Sequence, residues 1–144
     1  YAPNSEVTEE EVSFFLDSMK EAGRFSPLPE KLIDAGASVA GCGPAFVDLF
    51  VEALADGGVA CGLPRAKALE YAAQMVAGSA KLILESKKHP GQLKDEVCSP
   101  GGTTIQGVRA LENGGFRASV MEAVIAAYEK NFDHKLPSLS LRVL

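Results

Sequence analysis

The chain has 144 residues, 47% of them hydrophobic, and a formal charge of −5. This fits one ordinary domain with a short extra segment and enough apolar material for a real core. The acidic balance, with no cluster of Lys or Arg, argues against nucleic acid or an anionic membrane as partner, since both need concentrated positive charge.

No uninterrupted apolar run reaches the roughly 18 residues of a bilayer span. The polar start, Tyr1-Ala2-Pro3-Asn4-Ser5-Glu6, does not read as a signal peptide. With no initiator Met, the chain reads as a fragment or a trimmed product. Cys42, Cys61 and Cys98 are far apart and form no CxxC pair. Neither a metal site nor a disulfide framework is expected, and a reducing, cytoplasmic setting follows. Cys98 is weighed as a nucleophile, but neither His89 nor His134 pairs with it in an evident motif. A small packed thiol is preferred.

The spacing of Val12, Phe15, Leu16 and Met19 predicts a helix over 5–22, capped by Ser5 or by Thr8 with Glu11 as a capping box, and stopped at Gly23. Phe25–Leu28 reads as a short extended piece, bounded by Pro27 and Pro29. The small residues Asp34-Ala35-Gly36-Ala37-Ser38 mark a candidate boundary. From Gly41 onward only helices and turns are expected. One helix begins near Pro44, carries the stripe Phe46, Leu49, Phe50, Ala53 and Leu54, and ends at Gly57-Gly58.

A long helix runs from Pro64 to about Ser86. Its polar residues Lys67, Glu70, Gln74, Lys81 and Glu85 occupy one narrow strip, and nearly everything else on it is apolar. Such a helix must be covered on several sides, which the remaining short helices can hardly do. An obligate dimer with this helix near its centre is therefore expected. His89-Pro90-Gly91 then makes a turn, and a short helix follows through Leu93 and Val97. Another carries Ile105, Val108 and Leu111, Asn113-Gly114-Gly115 breaks it, and a last helix runs over 116–131. The tail, 133–144, reads as loosely held.

The sharpest feature is Ser99-Pro100-Gly101-Gly102-Thr103-Thr104, at a helix start. First-turn amides have no partner within the helix, and their dipoles favour a negative group. The loop therefore suits a carboxylate or a phosphate. In the alternative reading it is only a capped helix start, with Ser99 or Thr103 bonding its own backbone. The glycine pair, dispensable for capping, favours a ligand. The loop is not a Walker motif, since no Gly-Lys-Ser/Thr follows. Gly41-Cys42-Gly43-Pro44 lacks the third glycine of a dinucleotide fingerprint and reads first as a tight helix start, leaving Cys42 and Gly43 as weak cofactor candidates. Glu30, Asp95 and Glu96 are carboxylates near predicted turns, and most such groups are simply solvated.

These residues also carry a resemblance. Gly41-Cys42-Gly43-Pro44-Ala45-Phe46, Glu52–Val59, Gly62-Leu63-Pro64-Arg65, His89–Asp95, Ser99–Ile105 and Glu112–Arg117 form an ordered series similar to the pyrroline-5-carboxylate reductases, from Pro3 to about Asn131. The resemblance implies a mainly α fold: a helical bundle forming an interlocked dimer, preceded by a short α/β remnant of a Rossmann domain. Residues 1–34 would be that remnant, 35–132 the dimerisation and substrate-binding domain, and 133–144 a flexible tail.

The implied reaction is NAD(P)H-dependent reduction of 1-pyrroline-5-carboxylate to L-proline, with either NADPH or NADH as cofactor. The resemblance makes Thr104 the catalytic residue, facing the ring nitrogen. The Gly102 and Thr103 amides would hold the carboxylate with help from Ser99, Glu30 would also face the nitrogen, and Glu96 would border the ligand. Position 42 is Cys where the family usually has Ser, and the charge of Glu96 would repel a carboxylate if it pointed inward. The expected partners are a second copy of the chain, with a ring of dimers as an extension, and a small imino acid. The chain alone is expected to bind no cofactor and to be inactive. The competing readings are a non-catalytic helical dimerisation module and the helical domain of a related dehydrogenase with another substrate.

Overall fold

The computed structural model describes residues 1–133. Among them the secondary structure is helical, without strands. The seven α-helices are α1 (Glu9–Met19), α2 (Ile33–Ala40), α3 (Gly43–Ala60), α4 (Arg65–Ser86), α5 (Pro90–Glu96), α6 (Thr103–Asn113) and α7 (Phe116–Asp133). The chain divides into two compact units. One holds Tyr1–Cys42 and residues 126–133, and the other holds Gly43–Ile125. The small-residue stretch 34–38, expected as a boundary, lies inside α2, and the division falls after Cys42. The expected loose tail, apart from Asp133 at the end of α7, lies outside the described residues.

In the first unit, α1 starts at the capping box. The Glu11 amide donates to Thr8 Oγ1 at 3.2 Å, and the Thr8 amide donates to Glu11 Oε2 at 2.9 Å. That backbone donor holds the Glu11 carboxyl below its ordinary range. The helix is shorter than the predicted 5–22 because capping at Thr8, not Ser5, fixes its start. Phe15 packs edge-on against Phe25 with ring centres 5.3 Å apart. The Leu28 amide donates to the Tyr1 carbonyl at 2.9 Å, and the Tyr1 ammonium donates to the Ser26 carbonyl at 2.8 Å. The expected extended piece Phe25–Leu28 thus touches a neighbouring segment but forms no strand. Pro27 and Pro29 have no amide hydrogen with which to continue a ladder.

Small residues in α2 serve packing and not a break. A Cβ on Gly36 would stand 3.0 Å from Leu28 Cδ1, and Ser38, fully buried, donates its hydroxyl back to the Asp34 carbonyl at 2.9 Å.

The second unit is organised around the antiparallel pair α3 and α4. The chain reverses at Cys61–Pro64, where the Leu63 amide donates to the Gly58 carbonyl at 3.0 Å. Gly57-Gly58 was expected to end α3, yet the helix continues through both to Ala60. Gly58 is instead where the two helices meet: a Cβ there would lie 3.1 Å from Ala68 Cβ and 3.3 Å from Leu63 Cδ1. Around this approach Ala55, Ala68 and Ala72 are buried.

No other apolar side chain among the described residues is buried. On α4, Leu69, Tyr71, Met75, Leu82 and Leu84 stay exposed, Leu84 at 67%. No apolar run was expected to reach the length of a bilayer span, but by length and composition the helical stretch Glu30–Ala60 meets that measure, with an 18-residue window of mean hydropathy 1.4. The chain turns at Gly41–Cys42 within that stretch, and Phe46, Phe50 and Leu54 of α3 line the groove described next.

Candidate functional site

α5 leads into the loop that the sequence singled out. His89 Nδ1 accepts from the Gly91 amide at 3.1 Å and caps α5, with Pro90 at its first position. A Cβ on Gly91 would lie 3.0 Å from that nitrogen, so the close cap depends on glycine there. Sequence reasoning read His89 only as part of a turn; the Pro-Gly pair after it was the available signal.

At the other end of α5, the Val97 amide donates to the Lys94 carbonyl at 3.3 Å and the Cys98 amide to the Asp95 carbonyl at 3.0 Å. The next four residues form a tight turn. The Gly102 amide donates to the Ser99 carbonyl at 3.0 Å, and Pro100 and Gly101 take the central positions. Gly101 has φ +70°, which the third residue of a type II turn requires and which glycine adopts without strain.

The Gly102 amide is thereby engaged, so of the two amides expected to hold a carboxylate only that of Thr103 belongs to the unpartnered first turn. Thr103, Thr104 and Ile105 present the first-turn amides of the 11-residue α6. Gly102 precedes α6 as its extended N-cap residue, and among the described residues no side chain caps the helix. The alternative in which Ser99 or Thr103 serves as cap is not what the structure contains. A Cβ on Gly102 would lie 2.4 Å from Ser99 Oγ, so the missing side chain lets the Ser99 hydroxyl settle against the start of α6. Ser99, Thr103 and Thr104 are all exposed.

The remaining candidates are placed differently. Glu96 does not stand as a bare charge. Lys88 Nζ lies 2.8 and 3.0 Å from its two carboxylate oxygens, and Gln92 Nε2 donates to Oε1 at 3.2 Å. The Lys88 hydrogen bond, then its charge, holds the Glu96 carboxyl below its ordinary range. Lys94 pairs with Asp95, which raises the Lys94 pKa. Glu30 belongs to the first unit, on the short turn before α2, where it lines a cleft of about 460 Å³ with Tyr1, Asn4 and Asp34. Cys42 and Gly43 form no anion cradle with Gly41. The Gly41 and Cys42 amides both donate to the Ala37 carbonyl, at 2.7 and 3.2 Å. A pyrophosphate would need those donors free.

The second unit also carries an apolar groove of about 400 Å³ lined by Phe46, Phe50, Leu54, Leu111, Phe116 and Val120. Phe50 and Phe116 meet in it with ring centres 5.6 Å apart. Next to it, Arg117 Nε bonds Glu112 Oε1 at 2.6 Å, which raises the Arg117 pKa. The apolar stripes of α3, α6 and α7 are thus brought together but left uncovered.

Comparison with known proteins agrees with this arrangement. Residues 30–133 match the family model for pyrroline-5-carboxylate reductase dimerisation. A pyrroline-5-carboxylate reductase of Escherichia coli K12 is 49% identical over 129 residues, covering 90% of this chain and 48% of that protein. One from Synechocystis is 56% identical over 109 residues, 76% of this chain and 41% of that protein. The solved structure of the Plasmodium falciparum enzyme with NADP bound superposes with a TM-score of 0.81 at 38% identity, over 88% of this chain and 51% of that one. A Coxiella burnetii pyrroline-5-carboxylate reductase gives 0.86 at 31% identity, over 92% and 49%. The chain therefore spans about half the length of the relatives it matches. On its helical pattern, its ordered motifs and these matches, the chain belongs to the pyrroline-5-carboxylate reductase dimerisation family.

Proposed function

We propose that this chain supplies the imino-acid half-site and the dimer interface of a pyrroline-5-carboxylate reductase, which reduces 1-pyrroline-5-carboxylate to L-proline. The observation that carries the reading is the Ser99–Gly102 turn, which sets the Thr103–Ile105 amides at the exposed start of α6. The substrate's carboxylate meets those amides and the positive end of the helix dipole. The Thr104 hydroxyl then reaches the ring nitrogen and holds the C=N bond in one orientation for hydride attack on carbon. A hydroxyl is a weak acid, so Thr104 orients the ring and is not the proton source. Ser99 steadies the carboxylate, while Glu96 borders the ligand.

The Gly41 and Cys42 amides are both taken by the Ala37 carbonyl, so the Gly41–Gly43 segment offers little to a dinucleotide pyrophosphate. The hydride donor, NADPH or NADH, is proposed to be held by residues other than these. Two copies pair through the uncovered groove and α4, and dimers associate further into a ring. The acidic balance speaks against nucleic acid, and the apolar residues of 30–60 are assigned to the pairing surface and not to a membrane. The free thiols of Cys42, Cys61 and Cys98 suit the cytoplasm.

Calorimetry with L-proline tests the half-site. The 144-residue chain binds, and Thr104→Ala binds about tenfold more weakly for the lost hydrogen bond. No binding by the parent chain would favour the second reading, a bare dimerisation module, which the uncovered apolar groove supports by itself. Rapid NADPH oxidation by the pure chain with pyrroline-5-carboxylate would contradict the placing of the cofactor elsewhere.

A further inference from the structure

We infer that Lys88 is a positioning and charge-compensating residue of the imino-acid site: it masks Glu96 so that an anionic ligand can approach the Ser99–Thr104 turn. This rests on the function proposed above and goes beyond it in naming a residue outside the loop. Glu96 closes α5 three residues before Ser99, so their Cα atoms are no more than about 11 Å apart. The turn bonds at Lys94–Val97 and Asp95–Cys98 draw the chain in further.

A lone carboxylate on the segment that leads into the turn would add a negative charge on the side from which an anion approaches, and over such separations repulsion in water is weak but not zero. Here the charge is met by Lys88, which grips both carboxylate oxygens at 2.8 and 3.0 Å, while Gln92 takes Oε1 at 3.2 Å. Lys88 stands just before the His89 cap and Glu96 at the far end of α5, so one ion pair spans the whole helix. The pair is half exposed, with side chains at 42% and 45%, so its contribution to folding is small and its effect on a nearby anion is the more telling consequence.

The test is L-proline binding by calorimetry to the full 144-residue chain and three variants, at low salt and at 0.5 M salt, about a 4 Å screening length. At low salt Lys88→Met binds about two- to fourfold more weakly than the parent, Glu96→Gln binds somewhat more tightly, and Lys88→Met with Glu96→Gln returns to the parent affinity. High salt removes these differences. If the double variant stays as weak as Lys88→Met, or the loss persists in high salt, Lys88 acts through structure and the inference is overturned. Equal affinity of Lys88→Met and parent overturns it as well, while leaving the half-site intact. Absence of proline binding by the parent overturns both this inference and the proposed function.

Discussion

Gly102 shows how a single missing methyl shapes the loop. Its extended backbone is open to any residue, but a Cβ would meet Ser99 Oγ at 2.4 Å and the Ser99 carbonyl at 3.1 Å. Gly102→Ala must therefore expel the Ser99 hydroxyl and open the turn that exposes the α6 amides. We expect it to weaken proline binding at least tenfold while the thermal unfolding midpoint falls by only a few degrees, about the shift of a 1 kcal/mol change. Unchanged calorimetric affinity would remove Ser99 and Gly102 from the site. Residue identity made the loop legible in the sequence, since two glycines after a proline serve a turn and a ligand better than a cap. The loss of the Gly102 amide to the Ser99 carbonyl was not legible, because either partner could have bonded elsewhere. Nor was the Lys88–Glu96 pair, which depends on the length of α5 and on its cap at His89.

At the scale of elements, the α3–α4 pair decides how close two helices can come. Gly58 has Ala68 and Leu63 close against it, whereas nothing lies within 4 Å of a Cβ built on Gly57. Gly58→Val forces the helices apart and should cost about 1–3 kcal/mol of stability by overpacking. Gly57→Ala should be neutral or gain up to about 1 kcal/mol of helix propensity. Chemical denaturation of the two variants checks the contrast, and equal losses would mean that the close approach is unimportant. Hydrophobic spacing sufficed to predict α3, α4, α6 and α7 because their stripes are long. It made α1 too long and ended α3 too early. Of the two starts that the sequence offered for α1, the Thr8–Glu11 capping box is the one formed, and paired glycines that resemble a helix stop are a helix contact instead.

At the scale of the whole molecule, the composition promised a core, yet among the described residues Ala55, Ala68 and Ala72 are the buried apolar ones. Phe14, Leu49, Leu84 and Met121 remain at least 60% exposed. Exposed apolar surface of this kind marks an interaction face, and the near-continuous apolar girth of α4 already pointed to a partner in the sequence. Val120→Asp, in the groove beside Phe50 and Phe116, would bury a charge without a partner and should raise the dimer dissociation constant roughly a hundredfold or more. Light scattering behind size exclusion reads this directly, and an unaltered dimer would show that the groove is not the pairing surface.

The most direct test of the central claim follows the amides themselves. In a nitrogen–proton correlation spectrum of the 144-residue chain, titration with L-proline should move the Thr103, Thr104 and Ile105 amides more than any others, and L-prolinamide, which lacks the carboxylate, should leave them in place. Equal shifts with both ligands, or shifts confined to other residues, would contradict the account.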